Sequence, residues 1–332
     1  MKRLVILAPN WLGDAVMALP AIADVRREAP GAEISIAARA PIAALFHLVP
    51  GVRETIVLAR PASIGRVASW TSIGAELSGR GFDAALLLPN SIHSALIAYR
   101  AGIPERWGYS EGVRSRWLTR SVPRHSCVHQ VDDYRHLVEA LGFRNGSREP
   151  RIEAPESARA AADRLLVEAG WNGAAPLVAL APGAAYGGAK RWPPERFSAL
   201  AAALAGDGVV CMLIGSGGDA PSTRAVARAA RVIDLVGRTD LPTLAGVLTR
   251  CRALVTNDSG AMHLAAALGV PVTAVFGPTN ERATAPIGEP HVVLSYPVWC
   301  RPCMLRECPL DHRCMRGVDV GPVIDAARRT LR

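Results

Sequence analysis

Three short segments concentrate the side chains that could do chemistry. The first, Pro9-Asn-Trp-Leu-Gly-Asp14, ends in a carboxylate able either to take a proton from a substrate hydroxyl or to cap the helix that follows. The second, Ala181-Pro-Gly-Ala-Ala-Tyr-Gly-Gly-Ala-Lys-Arg-Trp-Pro193, is glycine-rich and ends in Lys190-Arg191 ahead of a proline-started helix. Its backbone around Gly183 and the Lys190 ammonium suit phosphate oxygens, with a solvated Lys-Arg pair as the plain alternative. Among 38 basic residues only Lys2 and Lys190 are lysines, so a compact point charge at 190 departs from the chain's habit of using planar guanidinium. The third segment is Asn257-Asp-Ser-Gly260, leading into an Ala-rich stretch with His263 one turn in. A helix beginning at such a turn directs free N–H groups and the positive end of its dipole at whatever lies beyond. That suits a diphosphate, although an ordinary βαβ unit capped by Ser259 would read the same way.

The elements that must position these segments alternate. Apolar runs at Arg3–Ala8, Glu33–Ala38, Glu54–Leu58 and Asp83–Leu88 predict strands in the first half. Leu177–Ala181, Val209–Ile214, Val232–Leu235, Ala253–Thr256 and Val272–Phe276 do so in the second. Helical stretches separate them; the first, from about Asp14 to Arg27, contains Pro20 and must kink or start irregularly. The fold class expected is α/β, with two Rossmann-like parallel-sheet domains facing a central cleft and the three segments at the C-terminal ends of strands. The boundaries expected are 1–155, 156–318 and a C-terminal helix over 319–332 that packs back on the N-terminal domain or on the second. No Gly-x-Gly-x-x-Gly follows the first strand, which argues against a dinucleotide-dependent dehydrogenase. Gly215-Ser-Gly-Gly-Asp219 has the wrong spacing for that motif and is either a loop bordering a nucleotide or a plain turn.

Composition narrows the class. With 50% hydrophobic and 20% charged residues over 332 positions, the chain is globular rather than disordered. A net charge of +9 favours anionic partners such as nucleic acid, phosphorylated lipid or sugar phosphates. Asn10, Gly13 and Asp14 interrupt what would be the apolar core of a signal peptide, and His263, Gly269 and Pro271 break the most apolar long stretch. A cytoplasmic protein without a membrane span is therefore expected. Arg100, Arg106, Arg114, Arg116, Arg120 and Arg124 fall in one segment that contains only Glu105 and Glu111 in opposition. The segment is either a surface for an anionic ligand or a solvated loop of an Arg-rich protein. Cys300, Cys303, Cys308 and Cys314, with His312 among them, have the ligand types of a structural Zn or Fe site, reduced thiols in a compact loop being the other reading. Cys127, Cys211 and Cys251 stand apart as packing residues.

Taken together, Asn10-Trp-Leu-Gly-Asp14-Ala-Val-Met-Ala-Leu-Pro20, Pro182-Gly-Ala-x-x-Gly-x-Ala-Lys-Arg-Trp-Pro193 and Asn257-Asp-Ser-Gly-x-x-His263, followed by Phe276-Gly-Pro-Thr279, resemble the ADP-heptose:lipopolysaccharide heptosyltransferases of glycosyltransferase family nine. Within them the chain looks most like the branch that adds the second heptose. The resemblance implies a GT-B fold and an inverting, metal-independent transfer of L-glycero-D-manno-heptose from ADP-heptose to the first heptose of Hep-Kdo2-lipid A. It places the enzyme peripherally at the cytoplasmic face of the inner membrane, with no cofactor required. Asp14 then matches the proposed base, and Lys190 the group that stabilises the leaving diphosphate. Gly183, Thr239, Asp258, Ser259, Gly260 and His263 match the donor side; Asn10, Trp11, Arg114, Arg116 and Arg120 are candidates for the acceptor side. Ala185 and Tyr186 stand where the related heptosyltransferases that add the first heptose carry hydroxyl residues, so direct phosphate contacts are not expected from them. Kdo2-lipid A and protein Ser/Thr are alternative acceptors of the same fold. A basic, metal-bearing nucleic-acid-binding module is the reading from a different class, and it leaves the three strand-end loops unexplained.

Overall fold

A computed structural model describes residues 1–58, 74–125, 127 and 129–331. The chain forms two compact units, Met1–Pro150 and Arg151–Arg332. The residues just after the division belong with the second unit, where Ile152 N–H donates to the Ala267 carbonyl at 3.0 Å.

Among the described residues each unit is built on a six-stranded parallel sheet. In the first, β1 (Arg3–Leu7), β2 (Glu33–Arg39), β3 (Glu54–Leu58), β4 (Ala84–Leu87), β5 (Glu105–Ser110) and β6 (Arg120–Pro123) lie in the order β3-β2-β1-β4-β5-β6. In the second, β7 (Leu177–Ala181), β8 (Val210–Leu213), β9 (Ile233–Asp234), β10 (Ala253–Asn257), β11 (Val272–Phe276) and β12 (His291–Ser295) lie in the order β12-β11-β10-β7-β8-β9. Both orders are doubly wound. The chain steps outward in one direction, returns to the centre and steps outward in the other, so the order reverses between β1 and β4 and again between β7 and β10. Loops leaving those neighbouring strand ends diverge, and the crevice between them is where open α/β sheets take ligands.

All the expected strands are present; most are central strands, which are covered on both faces and so read as continuous apolar runs. Leu4, Val5 and Ile6 of β1 and Ala253, Leu254 and Val255 of β10 are fully buried. β5, β6 and β12 lie outside the expected set. β6 and β12 are edge strands, with only one strand neighbour each. β6 reads Arg-Ser-Val-Pro and β5 opens on Glu105-Arg106, so neither carries the apolar signature. The irregularity expected at Pro20 takes the form of a break at Ala18. Helix Leu12–Met17 stops there, and Leu19–Glu28 starts with Pro20 in its first turn, where the missing N–H leaves no bond unmade. The C-terminal helix, Val320–Thr330, packs inside the second unit. Its buried Val323 and Ala327 join Trp192, Leu200 and Leu204 in one apolar core beneath helix Pro194–Gly206.

Helix Glu156–Glu168 packs on helix Leu241–Leu248 so closely that a Cβ at Gly246 would lie 2.3 Å from the Ala158 carbonyl oxygen. Gly246→Val must push the two helices apart. It is expected to lower stability by about 1–3 kcal/mol in urea unfolding, with loss of packing in the second unit.

Candidate functional site

In the second unit, the loops that follow β7 and β10 meet at the switch point. Asn257, the last residue of β10, is wholly buried. Its Nδ2 donates to the carbonyls of Pro182 (2.7 Å) and Gly183 (3.3 Å), and its Oδ1 accepts from Trp192 N–H at 3.0 Å. One side chain thus holds both the entry and the exit of the glycine-rich loop. Trp192 is fully buried and its indole N–H donates to the Val318 carbonyl, which anchors the loop's exit in the core. Lys190 is left at the loop's tip, with Nζ 2.6 Å from Asp258 Oδ2 and 4.9 Å from the Tyr186 ring centroid. Thr279, just beyond β11, donates its hydroxyl to the same Oδ2 at 2.6 Å. Lys190 and Asp258 are little exposed, at 14% and 6% of their side chains, so the pair acts in a low-dielectric setting.

Helix Gly260–Ala267 starts directly after this pair. Ser259 is its N-cap residue, yet the side chain makes no capping bond; its hydroxyl lies 3.1 Å from that of Thr256. The first-turn N–H groups, at the positive end of the dipole, therefore carry no side-chain cap. His263 is buried one turn in, and Thr239 is half-buried ahead of helix Leu241–Leu248, which Asp240 caps. Gly183 is a glycine for a packing reason: a Cβ there would fall 2.2 Å from Asp219 Oδ1. Asp219 belongs to a capping box with Ser216, so the Gly215–Asp219 stretch is an ordered turn.

The first unit carries the other candidates. Asp14 is half-buried in the first turn of helix Leu12–Met17, which packs on helix Gln130–Ala140. Burial pushes the Tyr134 phenol on that partner helix well above its ordinary range, and the carboxylates of Asp14 and Asp133 push it further. Asn10 and Trp11 are exposed at the end of β1. The arginines separate into two kinds. Arg114 is fully buried: it donates to the Pro89 and Tyr109 carbonyls and to Asn90 Oδ1, so it holds the turn after β4, across the switch point from the Asp14 loop. Burial lowers its affinity for its proton, with Glu111 opposing. Arg106 donates to three backbone carbonyls, Arg120 covers the Trp107 ring and reaches the Leu141 carbonyl, and Arg124 pairs with Asp133. Arg100 and Arg116 are exposed.

Cys300, Cys303, Cys308 and Cys314 are free thiols around a small cavity of about 20 Å³ that His312 also lines. Among the described residues no group of three or more His, Cys, Asp or Glu side chains is arranged to hold a metal ion, so these residues as placed do not form a Zn or Fe site. Four residues to which the sequence assigned no role at this loop bond it or its partners: Thr279, Trp192, Glu307 and His312. Thr279 and Trp192 stand inside the motifs, whereas the side chains of Glu307 and His312 meet backbone groups of Gly188 and Ala189, which leaves no local pattern.

Residues 70–313, more than half of the chain, match the family model described as glycosyltransferase family 9 (heptosyltransferase). The lipooligosaccharide heptosyltransferase 2 of Haemophilus ducreyi is 30% identical over 319 residues, 88% of each chain. The lipopolysaccharide heptosyltransferase 2 of Salmonella typhimurium is 29% identical over 300 residues, 86% of this chain and 85% of its own. A solved structure of Escherichia coli ADP-heptose heptosyltransferase II is similar at 27% identity and a TM-score of 0.83, covering 100% of this chain and 98% of that one. Two doubly wound units of this kind define a GT-B glycosyltransferase. The chain belongs to glycosyltransferase family 9, the heptosyltransferases. Lys190, Asp258 and the cysteine segment up to Cys308 lie inside the matched region, and Asp14 lies outside it.

Two outcomes test this geometry. Asp258→Ala strands the Lys190 ammonium, and urea unfolding should show a loss of about 2–4 kcal/mol. Burial pushes the Cys211 and Cys251 thiols up to about 12, whereas Cys300, Cys303 and Cys308 are part-exposed. Iodoacetamide at mildly alkaline pH, read by mass spectrometry, should label the latter three well before Cys211 and Cys251.

Proposed function

We propose that this enzyme transfers L-glycero-D-manno-heptose from ADP-heptose to the first heptose of a lipopolysaccharide inner core, with inversion at the anomeric carbon. The observation that carries the reading is the Lys190 ammonium, held 2.6 Å from Asp258 at the start of an uncapped helix and at a topological switch point. A cation and convergent N–H groups in that position match a leaving diphosphate.

Inversion takes one displacement. The acceptor hydroxyl oxygen bonds to the anomeric carbon as the bond from that carbon to the diphosphate oxygen breaks, and the hydroxyl proton passes to Asp14. The charge released onto ADP is met by Lys190 and the N–H groups at Ser259–Gly260, with His263 alongside; these groups supply the stabilisation for which other transferases use a divalent ion. Among the described residues both hydrogen bonds to Asp258 go to Oδ2, so Oδ1 is available to a heptose hydroxyl. Thr239 and the backbone at Gly183 take the nucleoside side.

On the acceptor side, Arg114 holds the turn after β4 from inside the unit, and Arg100 and Arg116 are the arginines disposed to meet phosphate or carboxylate directly. Trp11, Ile92, Tyr99 and Val113 are exposed apolar residues of the same unit. Exposed cations together with exposed aromatic and aliphatic groups suit an anionic glycolipid at the cytoplasmic face of a membrane, met peripherally. Among the described residues no helix is long and apolar enough to cross a membrane. Family membership sets aside the nucleic-acid-binding module.

Purified cores ending in Kdo or in one heptose, offered with ADP-heptose, test the reading. Transfer should occur to the heptose-ended core and persist in EDTA. Asp14→Ala should cost about 10²–10⁴-fold in kcat, and Lys190→Ala about 10²–10³-fold. Transfer only to a Kdo-ended core, or only to a protein, would move the acceptor and leave the donor chemistry in place. Replacing Arg100 and Arg116 with alanine should raise the KM for the core several-fold while the donor KM holds; equal rises in both would count against the acceptor surface.

A further inference from the structure

The segment from Met304 to His312 lies against the glycine-rich loop along its length. Tyr186 donates its hydroxyl to the Met304 carbonyl at 2.7 Å. Gly188 N–H donates to Glu307 Oε1 at 2.9 Å, Ala189 N–H donates to the Arg306 carbonyl at 2.9 Å, and His312 Nε2 lies 2.6 Å from the Ala189 carbonyl. A carbonyl only accepts, so His312 Nε2 carries the hydrogen in this bond. The approach at Gly187 is close enough that a Cβ would fall 2.3 Å from the Arg306 carbonyl oxygen. The Arg306 guanidinium sits 5.2 Å from the centroid of the Tyr186 ring that Lys190 also contacts. The same segment reaches the loop that follows β11, since Met304 N–H donates to the Pro278 carbonyl at 3.0 Å.

Backbone conformation points the same way. Met304 (φ 57) and His312 (φ 59) are the non-glycine residues with positive φ among the described residues. Each such residue costs about 1 kcal/mol or more and persists only where surrounding contacts over-determine it. Both are residues that bond the glycine-rich loop, one through its carbonyl and one through its ring.

We infer that this segment is a brace for the donor loop and that Glu307 and His312 are positioning residues for heptosyl transfer. They act through Gly188 and Ala189, the two residues before Lys190. The inference rests on the reading of Lys190 as the diphosphate cation. A loop already held in its binding conformation need not be ordered when the nucleotide arrives, so releasing it weakens donor binding by the fraction of time it strays. The acceptor and the bond-breaking step are untouched by that loss.

The test is ADP binding by calorimetry, with donor and acceptor kinetics, for the full-length wild type and five variants: Lys190→Ala, Glu307→Ala, Glu307→Gln, His312→Ala and His312→Gln. Glu307→Ala and His312→Ala should each weaken ADP and raise the donor KM about three- to tenfold, with kcat and acceptor KM within about twofold. Each glutamine keeps the required acceptor or donor atom and should return both values to within about twofold of wild type. The inference is overturned if both alanine variants bind ADP as the wild type does while Lys190→Ala does not. It is equally overturned if donor and acceptor KM rise together without rescue by glutamine, which is the mark of a general loss of structure. A wild type that fails to bind ADP, or a Lys190→Ala variant that binds it undiminished, overturns the donor-site reading and this inference with it.

Discussion

One buried amide ties both ends of the glycine-rich loop to the strand beside it. Asn257 accepts from Trp192 and donates to Pro182 and Gly183, so the intervening residues form a closed excursion whose base cannot drift. A buried amide of this kind must have its donors and its acceptor satisfied together, because an unpaired polar group away from water costs about 1–3 kcal/mol. The loop satisfies it, and the amide in turn places the loop. Everything assigned to donor chemistry in the second unit depends on that mutual requirement, which has its origin in β7 and β10 being neighbours in the sheet.

Within the closed excursion, charge decides where the tip points. Lys190 is drawn to Asp258, whose Oδ2 also takes the Thr279 hydroxyl, so loops after three adjacent strands meet on one carboxylate oxygen. Tyr186 stands where relatives' hydroxyl residues were expected to touch phosphate, and its hydroxyl is turned instead to the Met304 carbonyl while its ring faces two cations. Tyr186 therefore has a structural role in the loop. It joins the glycine-rich loop to the segment that carries the cysteines, whose thiol cavity Ala189 and His312 also line.

The arginines of the first unit show why residue type alone does not assign a ligand surface. Arg106, Arg114, Arg120 and Arg124 share one stretch of sequence with Arg100 and Arg116, yet their guanidinium groups satisfy backbone carbonyls, a carboxylate and an aromatic ring. A guanidinium with five donors is well suited to tie turns whose carbonyls would otherwise be buried unpaired. Arg114 does this for the turn after β4, beside the loop that leads to Asp14. Its contribution to an acceptor site would be to shape it.

What the sequence determined by itself was the alternation of apolar strands with amphipathic helices and the placing of Asp14, Lys190 and Asp258 at strand ends. Those features follow from local periodicity and from short motifs, so they are written in neighbouring positions. Strands β5, β6 and β12 were not legible: β6 and β12 lie at sheet edges, where no continuous apolar run is needed, and β5 opens on Glu105-Arg106. Nor were the burial of Arg114, the docking of Val320–Thr330 on the second unit, or the bonds from Glu307 and His312 to Gly188 and Ala189. Most of these contacts join groups more than twenty residues apart, several of them through backbone atoms that every residue type shares. Only the tertiary structure, by choosing which strands are neighbours, decided which carbonyls and N–H groups those side chains would find.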